Sequence, residues 1–284
     1  MKVLDLWYSA LDVEGLISTV EDTGLRRRAI KRLANARASS TSEGLFPKLT
    51  DASSGSPVIK DSLPSIYHLK GHVAGDVHPE VKLLFDRYRE TLTPAHRMLL
   101  ARYKIRDAAI KVVGVGSVGT FCGVALLTAD EGDALILQFK EARASVLEPY
   151  AGKSVFPNHG QRVVAGHRLM QPASDIFLGW TEGKRGRHFY IRQLRDVKIK
   201  LAVETFGATE MTVFARICGQ SLALSHARSG DAALMSGYLG KSDAFDTALA
   251  AFSIAYADQN EKDHAALKRA IRVGKVEALI EKAK

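Results

Sequence analysis

The sequence predicts an α+β fold, a small antiparallel sheet with one helix packed on it and helical segments before and after. Three observations predict it. Apolar and β-branched runs fall at 110–115, 121–128, 134–139, 176–181 and 188–194, enough for about five strands. The connections between the first three runs are too short for crossover helices, which favours hairpins. Helical spacing of apolar residues dominates on both sides of this region. The expected organisation is therefore a helical segment over 1–104 with an inserted β-hairpin at about 44–61, a strand-rich unit over 105–200, and a helical part over 201–284.

Taken in order, residues 4 to about 37 read as two or three short helices broken at Asp22-Thr23-Gly24, the last of them basic. Ser53-Ser54-Gly55-Ser56-Pro57 reads as the turn between short strands Phe46 to Thr50 and Pro57 to Lys60. Helices resume at Pro79 to Thr91 and Pro94 to Tyr103, each opened by a proline, whose missing N–H costs nothing in a first turn. Within the strand-rich unit, His159 to Gln171 places Val163, Val164, His167 and Met170 at helical spacing, and Pro172 stops it. Helices follow at Thr209 to Arg228, Asp231 to Leu239 and Asp243 to Ala257, before a charged terminal segment.

Composition bounds the function. The chain of 284 residues is 46% hydrophobic and 25% charged, ordinary values for a globular protein with a large core. No apolar run approaches the roughly 18 residues that a membrane span needs, so a cytoplasmic protein with no membrane partner is expected. Cys122 and Cys218 sit among apolar residues without metal-ligand spacing, which reads as two reduced core thiols. The net charge of +9 permits an anionic partner. Its densest basic run, Arg26-Arg27-Arg28 with Lys31, Arg32 and Arg37, alternates with apolar residues as a solvated helix does and carries no aromatic to stack bases, so nucleic acid is not the expected partner.

Gly114-Val115-Gly116-Ser117-Val118-Gly119 fits G-x-G-x-x-G, in which small residues let backbone N–H groups approach phosphate oxygens. Two nucleotide-binding arrangements use it. A dinucleotide-binding unit needs a helix from Thr120 to about Ala129; a kinase needs a second strand, then a strand carrying lysine. The spacing favours the second arrangement, since Ala134-Leu-Ile-Leu-Gln-Phe-Lys140 reads as that strand and Lys140 as the phosphate-neutralising lysine. One helix, a further hairpin, a connecting stretch at Gln193, Leu194 and Arg195, and a helical part then follow in two-lobed kinase order.

The catalytic half does not follow. A kinase catalytic loop needs an Asp with an Asn five residues on, yet Ile30, Lys153 and Ala255 precede the three asparagines by five. No D-F-G occurs. The helix His159 to Gln171 contains no acid to orient Lys140, leaving Glu141, Glu148 or Asp175 as substitutes. Gly75-Asp76-Val77-His78 reads as a turn with Asp76 or His78 near a helix start, and His226 with Asp231 as a hydrogen-bonded helix end that could line a site.

Several of these stretches carry a resemblance. Lys111-Val-Val-Gly-Val-Gly-Ser-Val-Gly-Thr120, Gln138-Phe-Lys-Glu-Ala142, Leu147-Glu-Pro-Tyr150, His159-Gly-Gln-Arg-Val-Val164, Ser174-Asp-Ile-Phe-Leu-Gly179 and Arg192-Gln-Leu-Arg-Asp196 resemble a bacterial domain-of-unknown-function family, number 2252 in its series. Leu4-Asp-Leu-Trp-Tyr8, His226-Ala-Arg-Ser-Gly-Asp231, Gly240-Lys-Ser-Asp-Ala-Phe245 and Tyr256-Ala-Asp-Gln259 extend it over nearly the whole chain. The resemblance implies a kinase-like fold with an altered order of parts, of which this chain looks like the C-terminal portion. The G-D-x-H-x-x-N-F and D-F-D stretches that precede the glycine loop in the family do not occur here.

The expectation is thus an ATP-type nucleotide held by Gly114, Gly116, Ser117, Gly119 and Thr120, by Lys140, and along its base edge by Gln193, Leu194 and Arg195. Magnesium and the catalytic acid would come from a separate segment, as a partner or a missing part of the chain, without which the unit would be inactive. The alternative is a non-catalytic binding or regulatory module whose basic helix at Arg26 to Arg37 meets an acidic partner.

Overall fold

The computed structural model describes residues 6, 7, 9, 13–18, 23–39, 46, 49–51, 56–68, 77–114, 119–129, 133–194 and 203–278. The chain divides into two compact units, 1–230 and 231–284. The first opens with helices α1 (Val13–Ser18) and α2 (Thr23–Ser39), the basic helix of the sequence, and a two-stranded hairpin of β1 (Thr50–Asp51) and β2 (Val58–Ile59). Strand β3 (Ile66–Tyr67) follows, then helices α3 (Pro79–Glu90) and α4 (Pro94–Leu100). Both begin at their prolines and both are capped from the preceding residue. The His78 ring nitrogen accepts from the Glu80 N–H at 3.2 Å, and the Thr93 hydroxyl from that of His96 at 3.4 Å.

The six-stranded antiparallel sheet has the order β3-β4-β5-β6-β8-β7, with β4 at Lys104–Lys111, β5 at Cys122–Thr128, β6 at Ala134–Ala142, β7 at Gly179–Glu182 and β8 at His188–Gln193. Between β6 and β7 lie the one-turn helix α5 (Glu148–Ala151) and helix α6 (His159–Met170). The Asn158 side chain caps α6 by accepting from Gln161 N–H at 3.1 Å. Gly160 lets α6 lie against β8, since a Cβ there would stand 2.2 Å from the Phe189 carbonyl oxygen. Helix α7 (Ala208–Ser229) completes the unit. The second unit holds α8 (Ala232–Leu239) and α9 (Ala244–Arg272), the latter running without a break from the expected helix at Asp243 to Ala257 into the charged segment. Among the described residues no helix is long and apolar enough to cross a membrane.

Every residue of β5 is buried, so both faces of the sheet need cover. On one face Ala125, Leu127, Leu135, Leu137 and Ile191 pack with Tyr88, Leu92 and Leu100 of the α3–α4 region and with Phe177. On the other, Val124, Leu126, Ile136 and Ala109 pack with Ile59 and Ile66, joined by Phe46, Leu49 and Leu194. Each fully buried leucine here contributes about 1.5–3 kcal/mol. Polar ties fix the layers: the buried Tyr88 hydroxyl donates to the Phe177 carbonyl, and Thr91 both donates to the Trp180 carbonyl at 3.0 Å and accepts from its N–H at 3.1 Å. Burial pushes the Tyr88 phenol far above its ordinary range.

The appended hairpin is fastened to β4 by a buried acid. Asp107 is wholly buried and accepts from the N–H groups of Ile59 at 2.7 Å and Ala108 at 2.8 Å, and it lies 3.1 Å from the His68 imidazole, whose other nitrogen reaches Asp61 at 2.8 Å. A charge in the middle of a strand reads as a solvent-facing position, which is why the sequence pattern starts this strand near residue 110 whereas β4 begins at Lys104. Cys122 is a core thiol as expected, but Cys218 is exposed on α7 and is not part of the core.

Gly123 tests the packing of the central hairpin. A Cβ at this position would stand 2.3 Å from the Phe139 ring, which is held between Phe121 and Phe189 at centroid distances of 5.9 and 6.5 Å. Gly123→Ala is expected to lower stability by about 1–3 kcal/mol in urea denaturation, as overpacking does. Gly114→Ala, whose Cβ meets nothing within 4 Å, should leave the midpoint unchanged.

Candidate functional site

The segment between β4 and β5 spans the glycine pattern. Gly114, Gly119 and Thr120 are described; Gly116 and Ser117, like Arg195 in the connecting stretch, lie outside the described residues. The following residues are strand, not helix: β5 starts at Cys122 and pairs antiparallel with β6, with Cys122 opposite Lys140. A dinucleotide-binding unit is excluded by that hairpin, because its helix would have to occupy these residues.

The second end of the loop is anchored on β6. Gly119 has φ +75°, a conformation glycine adopts without Cβ strain, and its carbonyl accepts a hydrogen bond from the Arg143 guanidinium. Arg143 also pairs with Glu141 at 3.1 Å, and Glu141 accepts from the Phe121 N–H at 2.8 Å. Glu141 therefore holds the loop rather than Lys140. Asp175 is spent in the same way, accepting from the N–H groups of Phe177 and Gln193. Glu148, at the start of α5, is not joined to Lys140 either. No carboxylate among the described residues pairs with the Lys140 ammonium.

Register shows what does surround it. Lys140 lies between Cys122 of β5 and Tyr190 of β8, and Tyr190 is paired with Trp180 of β7. One step beyond the Ile110–Gly123 pair, Lys111 of β4 falls opposite Cys122. Lys111, Cys122, Lys140, Tyr190 and Trp180 thus form a row across five strands on one face. The next row on that face is Ala109, Val124, Gln138 and Arg192. Gln138 is buried; its amide donates to the Cys122 sulfur at 3.6 Å, and its carbonyl oxygen accepts from Arg192 at 3.4 Å. His167 of α6 brings its ring within 6.3 Å of Tyr190.

These neighbours set the thiol. Burial raises the Cys122 pKa above its ordinary value, and the opposing pull of Lys140, the Gln138 hydrogen bond, Lys111 and Arg192 does not reverse it. A neutral, buried thiol is no nucleophile at neutral pH. Lys140 and Arg192 are both half-buried cations without a carboxylate partner among the described residues. Sequence spacing singled out Lys140 but missed Lys111 and Arg192. Alternation along β8 puts Arg192 on the face of Tyr190 and Leu194, but which face also carries Lys140 is a matter of register, which a single sequence does not carry.

The connecting stretch is more committed than expected. The Gln193 N–H goes to Asp175, and the Leu194 N–H to the Ile136 carbonyl at 2.8 Å. Leu194 offers an apolar, half-buried side chain on the Lys140 face. Elsewhere, His78 caps α3, at the helix start where it was expected, while Gly75 and Asp76 lie outside the described residues, and Asp231 caps α8 by accepting from Ala233 and Leu234 at 2.9 Å. In the basic helix, Arg26 donates to the Ser18 carbonyl and Arg28 pairs with Glu210 at 3.3 Å, so part of its charge is engaged within the chain. No group of three or more His, Cys, Asp or Glu residues suited to a metal ion occurs among the described residues.

The loop anchor has a pH signature. Burial by itself would raise the Glu141 carboxyl, but the Phe121 N–H, then Arg143 and Arg187, outweigh it and hold the carboxyl below its ordinary value. A depressed folded pKa contributes stability that is present above the unfolded value of about 4.3 and lost as pH falls through the lower folded value. The difference in urea midpoint between wild type and Glu141→Gln should therefore be constant from pH 7 to about 5 and shrink below about 4. A difference independent of pH would show that the charge of Glu141 contributes nothing.

Comparison with known proteins places the chain at the level of family. No curated protein and no solved structure matches it. A model of the family described as "Uncharacterized protein conserved in bacteria (DUF2252)" matches residues 1–270. The chain, glycine loop and lysine strand included, belongs to this bacterial DUF2252 family.

Proposed function

We propose that the chain binds ATP or a similar nucleotide between its glycine loop and the Lys140 face of the sheet, as the nucleotide-binding unit of a kinase-like phosphotransferase. The observation that carries this reading is the pair of half-buried cations, Lys140 and Arg192, left without a carboxylate among the described residues, on a sheet whose neighbouring strands are joined by the glycine-rich sequence. A cation withdrawn from water without a counter-charge is costly, and an anionic ligand is the partner that offsets the cost. The glycines add to it. Gly114 has no positive φ, and a Cβ placed on it would meet nothing within 4 Å. Nothing described in the chain's own packing demands glycine there, whereas close approach of a phosphate would.

The order of elements supports the same reading: glycine hairpin, lysine strand, packed helix, second hairpin and a helix-rich remainder. Backbone N–H groups of 114–120 would meet phosphate oxygens, Lys140 would neutralise them, and Leu194 would give the base an apolar edge. ATP bound there would supply a transferable γ-phosphoryl group. The 284 residues contain no H-R-D-x-x-x-x-N or D-F-G motif, so the reading is one of binding, with the catalytic acid and any magnesium ligands supplied by a separate segment.

Titration calorimetry with ATP tests it. Lys140→Ala is expected to weaken binding about tenfold or more, the worth of a hydrogen bond to a charged group. Lys104→Ala, at the exposed far end of β4, should bind as wild type does. Equal affinity of the Lys140→Ala protein would sink the proposal.

A further inference from the structure

We infer that the chain pairs with a second copy of itself through helix α9, the two helices running antiparallel along a stripe of exposed apolar side chains. The inference is independent of the nucleotide reading and concerns the second unit alone.

Position carries the argument. Phe245, Leu249, Phe252, Tyr256, Leu267 and Ile271 recur at helical spacing and share one face of α9. The first five are 41–62% exposed, and neither α8 nor α9 has a buried residue. Helices draw most of their stability from packing an apolar face, so a 29-residue helix with this stripe bare needs a cover. Phe252 stacks on Tyr256 at 5.8 Å between ring centroids, and Tyr238 of α8 lies edge-on to Phe245 at 6.1 Å, with Leu234 one turn before it. Asn260 and Asp263 also fall on the stripe, where the Asp263 carboxylate accepts from the Gln259 amide at 2.8 Å. Whole aromatic side chains offer about 150–250 Å², so the exposed shares of the stripe with Leu234 and Tyr238 come to roughly 800 Å² per copy, the area of a standard interface.

Symmetry and charge select the occupant. Phe245 and Ile271 are equidistant from position 258, as are Leu249 and Leu267. Two α9 helices crossing antiparallel at that position therefore bring Phe245 to Ile271 and Leu249 to Leu267 of the other copy, twice over, as a two-fold interface requires. From 242 to 261 the sequence has Asp243, Asp246, Asp258 and Glu261 and no Lys or Arg; from 264 to 276 it has Lys268, Arg269, Arg272 and Lys275 and no acid. Antiparallel copies set the acidic half against the basic half, whereas parallel copies would set like against like. A helix lying on an anionic membrane presents Lys and Arg beside its apolar face, the reverse of the cation-free stretch that carries Phe245 to Tyr256.

The test is sedimentation equilibrium of the full chain, which is expected to show a concentration-dependent dimer below about 100 μM. Leu249→Glu should weaken the dimer at least about tenfold, whereas Ile254→Glu, at an exposed position on the opposite side of α9, should leave it unchanged, with folding of each verified by circular dichroism. Cross-linking reads the register. In a Cys218→Ser background, Leu249→Cys chains mixed with Leu267→Cys chains should form an intermolecular disulfide on mild oxidation, and neither should do so alone, because the two copies of either position then stand about 27 Å apart. A chain that stays monomeric over this range, alone or bound to vesicles of anionic phospholipid, would overturn the inference. So would an unchanged dimer in a folded Leu249→Glu protein, or a disulfide between Leu249→Cys chains alone. The wild-type sedimentation and the cross-linking pair decide even where Leu249→Glu fails to fold.

Discussion

The burial of β5 on both faces is the constraint on which the rest of the structure depends. A strand that meets water on neither side has to be covered twice, and seven buried residues in a row force two layers onto the sheet. The α3–α4 region supplies one layer through Tyr88, Leu92 and Leu100, and the short hairpin with β3 supplies the other through Ile59 and Ile66. Gly119, Thr120 and Lys140 sit where this doubly buried core ends. Lys140 lies two residues past the four buried residues of β6 and is itself half-buried.

The sheet's central part was legible because its signals are local. Cys122 to Thr128 is a continuous apolar run, and six residues later Ala134 begins another, which leaves room only for a hairpin. Helix α6 was legible from its spacing and its stop at Pro172, and the prolines marked the starts of α3 and α4. What escaped was set by distant partners. Asp107 is tolerable inside β4 only because Ile59 and His68, about 40 to 50 residues earlier, satisfy it. Strand β3 has two residues and gains its identity from pairing with Lys111 and Ile110, not from any pattern of its own. The exposure of Cys218 likewise depends on which side of α7 other elements cover.

The candidate site divides along the same line. The glycines and Lys140 form a sequence-spaced motif. Lys111 and Arg192 join it only through the register of four strands, a property of the fold as a whole. Two of the acids suggested as partners for Lys140 are assigned by three-dimensional neighbours: Glu141 closes the loop through Arg143 and Phe121, and Asp175 ties β8 to the segment before β7. Each is near Lys140 in sequence or in the sheet, yet each is already spent.

The absence of a carboxylate on Lys140 among the described residues also bears on what kind of site this is. A carboxylate on α6 would orient the Lys140 ammonium, but under the proposed function it would also compete with the nucleotide for that charge. Helix α6 carries none, placing Val163, Val164 and His167 along its length instead. Under the proposed function, a lysine strand without that acid suits holding a phosphate more than aligning one for transfer. It accords with a chain whose sequence contains a glycine loop and a lysine strand but no recognisable catalytic loop.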